Sequence, residues 1–77
     1  MRSVHTPAYK LFLKRLLSAR EKARLTQGEA ARHLGVPQSR LSRMESGERR
    51  IDVIELADLA RLYGRSLSYF VPREAKR

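Results

Sequence analysis

Cysteine is absent from the 77 residues, so the chain can form neither a disulfide nor a thiolate zinc site. Its two histidines, His5 and His33, stand too far apart to take over a metal, and His33 reads as a surface or boundary residue beside Leu34. No metal and no cofactor are expected. Long apolar runs are missing too: none approaches the roughly 18 residues needed to cross a bilayer, and the first residues lack the apolar stretch of a secretory signal. The protein is therefore expected to stay in the cytoplasm. There is no Ser-His-Asp or Cys-His set, no paired carboxylate cleft and no phosphate-cradling glycine loop, which argues against an enzyme. Acidic residues are scarce, 8 against 17 Lys and Arg, leaving a formal charge of +9. On so small a body that field attracts polyanions, nucleic acid above all. Charge by itself also suits an anionic membrane surface or a merely basic exterior.

What is present reads as helices. Residues 1–7 carry no periodic pattern and are expected to form a flexible arm, 73–77 a polar tail, and 8–72 a single domain of marginal stability. From Ala8 to about Ala23, Tyr9, Phe12, Leu13, Leu16 and Leu17 recur at spacings of three and four, with Lys10, Lys14, Arg15 and Lys22 largely on the other face. Thr26 and Glu29 fit a capping box opening a short second helix, whose inner face is Ala30, Ala31 and Leu34 and which Gly35 can close. Pro37 suits the first turn of a third helix, in which Leu41 and Met44 face inward until Ser46-Gly47 ends it. Asp52 and Glu55 signal a fourth helix, Val53 to Tyr63, so apolar around its circumference that it is expected to be the central, most buried one. Gly64 stops it, and Ser66 is expected to cap a last short helix with Leu67, Tyr69 and Phe70 before Val71-Pro72. No strand pair and no internal repeat is visible. The fold class is all-α, with five helices in one compact domain. Five residues after Pro72 are expected to leave no room for a separate sensor domain.

Thr26 to Gly47 is the most informative stretch: a capped helix, a Gly-Val-Pro turn, then a helix with a polar and Arg-rich outer face. Small Ala residues let the two helices approach, and Leu41 and Met44 anchor the second so that its other face protrudes. The sequence here resembles the lambda-repressor-like, or Cro/XRE-type, helix-turn-helix regulators. Their pattern stands as Leu25-Thr26-Gln27, Ala30-Ala31, Leu34-Gly35-Val36, Gln38-Ser39, Ser42-Arg43, Glu45 and Gly47, continuing through Leu59, Ala60, Leu62, Gly64, Ser66 and Leu67. That resemblance implies a transcriptional regulator, expected to act as a repressor and a homodimer, with helix three in the major groove of double-stranded DNA. It places the phosphate-clamping Gln on Gln27 and the base-reading positions on Gln38, Ser39 and Arg43, flanked by Arg40 and Ser42. Arg reads guanine and Gln adenine through paired hydrogen bonds, whereas Ser discriminates little. Arg49, Arg50 and helix-one cations are expected on phosphates.

Two positions depart from the family pattern. Pro37 stands where a capping Ser or Thr is common, removing a hydroxyl and a backbone donor. Gly28 replaces a better helix former early in helix two, at a cost of roughly 0.5–1 kcal/mol relative to Ala. Elsewhere, Arg20 continues the stripe of Leu13 and Leu16, and Glu45 that of Leu41, which suggests an ion pair between helices one and three, close to the surface. Many relatives join these helices in that way. Leu67, Tyr69, Phe70 and Val71 are the expected dimer surface. A rival reading uses the same fold as an antitoxin or adaptor that binds mainly a partner protein, which should put an apolar anchor on helix three. A third, a lipid-surface protein, requires Leu13, Leu16 and Leu17 to be exposed.

Overall fold

In the computed structural model, residues 6–72 are described, and every regular element among them is helical: α1 (Pro7–Lys22), α2 (Gln27–Leu34), α3 (Gln38–Ser46), α4 (Val53–Tyr63) and α5 (Leu67–Phe70). The expected tail and most of the expected arm lie outside the described residues. Helix α1 starts one residue earlier than its apolar pattern suggests. Thr6 Oγ1 accepts from Tyr9 N at 3.1 Å, and Pro7 takes the first helical position, where its missing N–H costs nothing. Thr6 and Pro7 are therefore the start of the helix rather than the end of an arm.

Capping chemistry also sets α2 and α4. In each, the N-cap oxygen accepts from the backbone of the third helical residue while that residue's glutamate accepts from the N-cap amide: Thr26 with Glu29, and Asp52 with Glu55. Pro37 lies at the N-cap of α3 rather than inside its first turn, with no side-chain cap, so its carbonyl alone receives Arg40 N at 3.1 Å and Leu41 N at 3.4 Å. Ser66 does not cap α5 through its hydroxyl either, which meets Ser68 Oγ at 3.0 Å instead.

All five helices feed one core. Phe12, Leu16 and Ala19 come from α1, Ala30 and Ala31 from α2, Leu41 and Met44 from α3, Leu59, Ala60 and Tyr63 from α4, and Phe70 from α5. Full burial of Leu16 is incompatible with the lipid-surface reading of α1. Helix α4 contributes three of the buried residues but is not buried all round. Val53 and Ile54 are 65% and 69% exposed, because a helix has only one inward stripe and Ile54 falls opposite the side that carries Leu56, Leu59 and Tyr63. Phe70 is fully buried, which removes it from the expected dimer surface; Tyr69 is half-buried, and only Leu67 and Val71 of that set are exposed.

Candidate nucleic-acid interface

Helix α3 divides cleanly by solvent access. Leu41 and Met44 are buried, at 0% and 3% exposure, whereas Gln38, Ser39, Arg40, Ser42 and Arg43 are all exposed. With a 100° step per residue, Ser39 falls farthest from Leu41 and Met44, Arg43 and Ser42 lie equally far from that stripe on opposite sides, and Arg40 and Gln38 stand nearer to it. Ser42 borders α1, while Arg40 lines a small cavity towards α4 together with Glu55 and Asp58. Arg43 Nε stands 3.9 Å from Glu48 Oε1 with both side chains mostly in solvent, a contact too weak to hold the guanidinium in place. Gln38 lies against helix α2: its Oε1 would be 3.4 Å from a Cβ placed on Gly28.

Behind this surface three side chains and one backbone carbonyl form a network. Arg20 Nε and Nη2 donate to Glu45 Oε2 and Oε1 at 2.6 and 3.1 Å, and Arg20 Nη1 donates to the Leu25 carbonyl at 2.9 Å. Gln27 Nε2 donates to Glu45 Oε1 at 2.8 Å. The expected pair of α1 and α3 is thus present, deeper than its sequence position suggests, with the two side chains 13% and 8% exposed. The hydrogen bond it donates to Glu45 raises the Arg20 guanidinium above its usual range. The network joins three helices, so the end of α1, the start of α2 and the last turn of α3 are oriented together. An amide nitrogen carries two protons, and Glu45 takes one from Gln27.

Tyr63 packs into this region and its hydroxyl has no hydrogen-bond partner among the described residues. Burial, aided by the Glu45 charge and opposed by Arg20, pushes that phenol up to about 12.

The α3–α4 loop is pinned from two sides. Arg49 Nη2 and Nη1 reach Glu55 Oε2 and Oε1 at 2.9 and 3.1 Å, so this expected phosphate contact is already engaged in fastening the loop to α4. The Arg49 hydrogen bond, with that from the Asp52 amide, holds the Glu55 carboxyl below its usual range. Arg50 is exposed, its guanidinium 5.6 Å from the Tyr9 ring centroid, and Tyr9 Oη accepts from Ile51 N at 3.2 Å. Sequence periodicity marks Tyr9 as a core residue only; nothing in it links Tyr9 to a loop 42 residues away. Gly47 is buried with φ +88°, and a Cβ there would come within 3.1 Å of Leu13 Cδ1. Its hydrogen side chain therefore serves both the left-handed turn and the close approach of α3 to α1.

A helix-turn-helix family model matches residues 16–70. The chain belongs to the XRE-type helix-turn-helix family. Its fold is likewise that of an XRE-family like protein from Pseudomonas syringae pv. tomato str. DC3000, 42% identical, with a TM-score of 0.80 over 90% of this chain and 84% of that one. No curated protein matches. The XRE-type family consists of DNA-binding transcription regulators rather than enzymes, and double-stranded DNA is the ligand class that membership brings. In this XRE-type chain no described helix is long and apolar enough to cross a membrane, and no cluster of metal-ligating side chains occurs among the described residues.

Proposed function

We propose that the chain is a cytoplasmic repressor that binds an inverted-repeat operator as a homodimer, each copy laying α3 in the major groove and excluding polymerase by occupancy. The observation that carries this reading is the outer face of α3: five exposed polar side chains on a helix whose inner face is locked to the core. Arg43, Ser39 and Gln38 would meet base edges. Gln27 would present the second proton of its amide to a phosphate, and Arg50 would reach another. Arg40 and Ser42 would touch the strands on either side, and Arg49 would act mainly by holding the loop. A partner-protein role for α3 lacks the apolar anchor such surfaces need. Exposed Val53, Ile54, Leu67 and Val71 are the side chains a second copy would cover. Selection of bound duplexes from a random pool tests the whole reading: an enriched inverted repeat is expected, and recovery of no common sequence would refute specific DNA recognition.

A further inference from the structure

A cavity of about 130 Å³ opens beside the α2–α3 turn, between α3 and α4. Leu34, Val36, Met44 and Leu59 give it an apolar lining, and Arg40, Glu55 and Asp58 complete the wall. Met44 and Leu59 belong to the buried core, so this lining is held in place from behind. An engineered apolar cavity of about 150 Å³ binds benzene, so a space of this size suits an apolar group of roughly four to six carbons. The three charged side chains differ in what already engages them. Glu55 is occupied through Arg49 and the Asp52 amide. Asp58 meets Arg61 through Oδ1 at 3.3 Å, with both side chains mostly in solvent, a contact that contributes little. Arg40 forms no ion pair among the described residues, yet its charge adds to the Arg49 and Asp52 hydrogen bonds in lowering the Glu55 carboxyl. A guanidinium without an ion-pair partner and a weakly held carboxylate therefore flank one apolar cavity.

We infer that this cavity is an effector site for an α-amino acid with an apolar side chain of about leucine size, its carboxylate on Arg40 and its ammonium on Asp58. A neutral apolar molecule would leave both charges unused, and an amine or a carboxylate alone would use one. A zwitterion uses both while its side chain covers Leu34, Val36, Met44 and Leu59. The regulatory part rests on the DNA-binding reading above. Arg40 is exposed on α3, the helix assigned there to the major groove, so an amino acid that holds its guanidinium withdraws it from the DNA strand. Duplex and amino acid then oppose each other, and linkage requires each to weaken the other by the same factor.

The test titrates the full chain with leucine, with 4-methylpentanoate, which lacks the ammonium, and with 3-methylbutylamine, which lacks the carboxylate, while methyl NMR follows Leu34, Val36, Met44 and Leu59. Leucine is expected to shift these methyls with a dissociation constant of about 1 mM, as befits so small a ligand. Each fragment should bind about two- to fivefold more weakly, the range for a partly exposed charge pair. Asp58→Asn should weaken leucine and the amine by that factor and leave 4-methylpentanoate unchanged; Arg40→Gln should weaken leucine and 4-methylpentanoate and leave the amine unchanged. Saturating leucine should also lower affinity for the selected duplex by at least about fivefold. Absence of methyl shifts at about 10 mM leucine, ten times the expected constant, overturns the site. Equal binding of all three compounds overturns the assignment of Arg40 and Asp58. Leucine binding that leaves duplex affinity unchanged overturns the effector role. Failure of the parent protein to bind any duplex overturns the DNA-binding reading and the regulation with it, whereas the methyl shifts would still stand as evidence for the site.

Discussion

Arg20 and Glu45 meet as a two-point pair, guanidinium edge to carboxylate edge, across the 25 residues that separate them in the chain. Because the two side chains are only 13% and 8% exposed, removing one leaves the other largely desolvated without its counter-charge. Glu45→Ala should lower unfolding free energy by about 3–5 kcal/mol, the range for breaking buried pairs. The Leu25 carbonyl still accepts from Arg20, which favours the lower end. Urea melts of both single variants and the double variant check it, and absence of coupling energy in that cycle would refute the pair's contribution.

Tyr63 gives a second expectation with an unusual sign. A buried hydroxyl without a partner costs about 1–3 kcal/mol, so Tyr63→Phe should leave the protein as stable or more stable, by up to about 1 kcal/mol once small packing changes are included. The pH dependence follows from the same burial. With the folded phenol near 12 and the unfolded one near 10, the unfolded state ionises first, so stability falls as pH rises from about 10. Tyr63→Phe should flatten that alkaline limb. On the acid side the depressed Glu55 and Glu29 carboxyls contribute stability that is present above the ordinary carboxylate range and lost as pH falls through their folded values. Thermal melts across pH measure both limbs.

Helices α1, α2 and α4 end in the same way, with paired hydrogen bonds from two successive amides back into the last turn. Gly35 and Gly64 take the left-handed position in α2 and α4, both at φ +72°, but Arg24 takes it in α1 at φ +62°. That conformation costs a non-glycine residue roughly 1–2 kcal/mol, while glycine loses roughly 0.5–1 kcal/mol more backbone entropy on folding. Arg24→Gly should therefore be neutral to stabilising by about 1 kcal/mol. A clear loss in a denaturant melt would mean that the Arg24 side chain itself contributes to the fold.

Local chemistry made much of this architecture legible. Thr26 with Glu29 and Asp52 with Glu55 announce helix starts because a capping box needs only residues three apart. Leu41 and Met44 likewise dictate which residues of α3 are exposed, and Arg20 could be matched to Glu45 because both continue apolar stripes. Residues whose place depends on another element were harder to read. Ile54 looks like core in composition yet faces away from it, and Phe70 looks like a spare aromatic yet fills the core completely. Tyr9 reaching Ile51 and Arg49 engaging Glu55 depend on how a loop folds back, which no periodicity encodes. The DNA-contact roles themselves were carried by family resemblance, since an exposed Arg has the same appearance whether it meets a base, a phosphate or water.

Association should depend on the start of α4 rather than on Phe70. Val53→Asp with Ile54→Asp alters exposed positions in a first helical turn, where acidic residues suit the helix dipole, so fold stability should change by no more than about 0.5 kcal/mol per site. Sedimentation velocity should show that variant as a monomer at concentrations where the parent protein is a dimer. Phe70→Ala should do something different, lowering stability by about 3–5 kcal/mol through the cavity it leaves. A double-Asp variant that still dimerises would move the interface elsewhere.

Arg43 carries the most specific expectation. It lies on the outward side of α3, its guanidinium mostly in solvent and, among the described residues, approached by Glu48 at 3.9 Å, so a ligand can recruit it without breaking a buried bond. Bidentate contact to guanine predicts that Arg43→Ala costs roughly 1–3 kcal/mol on the preferred site and relaxes the preference at one base pair in each half-site. Contact to a phosphate predicts instead a loss shared by all sequences and a salt slope smaller by about one. Glu48→Ala supplies a control: it should leave the base preference unchanged and tighten binding slightly by removing a neighbouring negative charge. Titrating parent and variant proteins against the preferred duplex and one with that base pair exchanged separates the two outcomes. Equal discrimination by both proteins would remove Arg43 from the base-reading set and leave Gln38 and Ser39 to carry recognition.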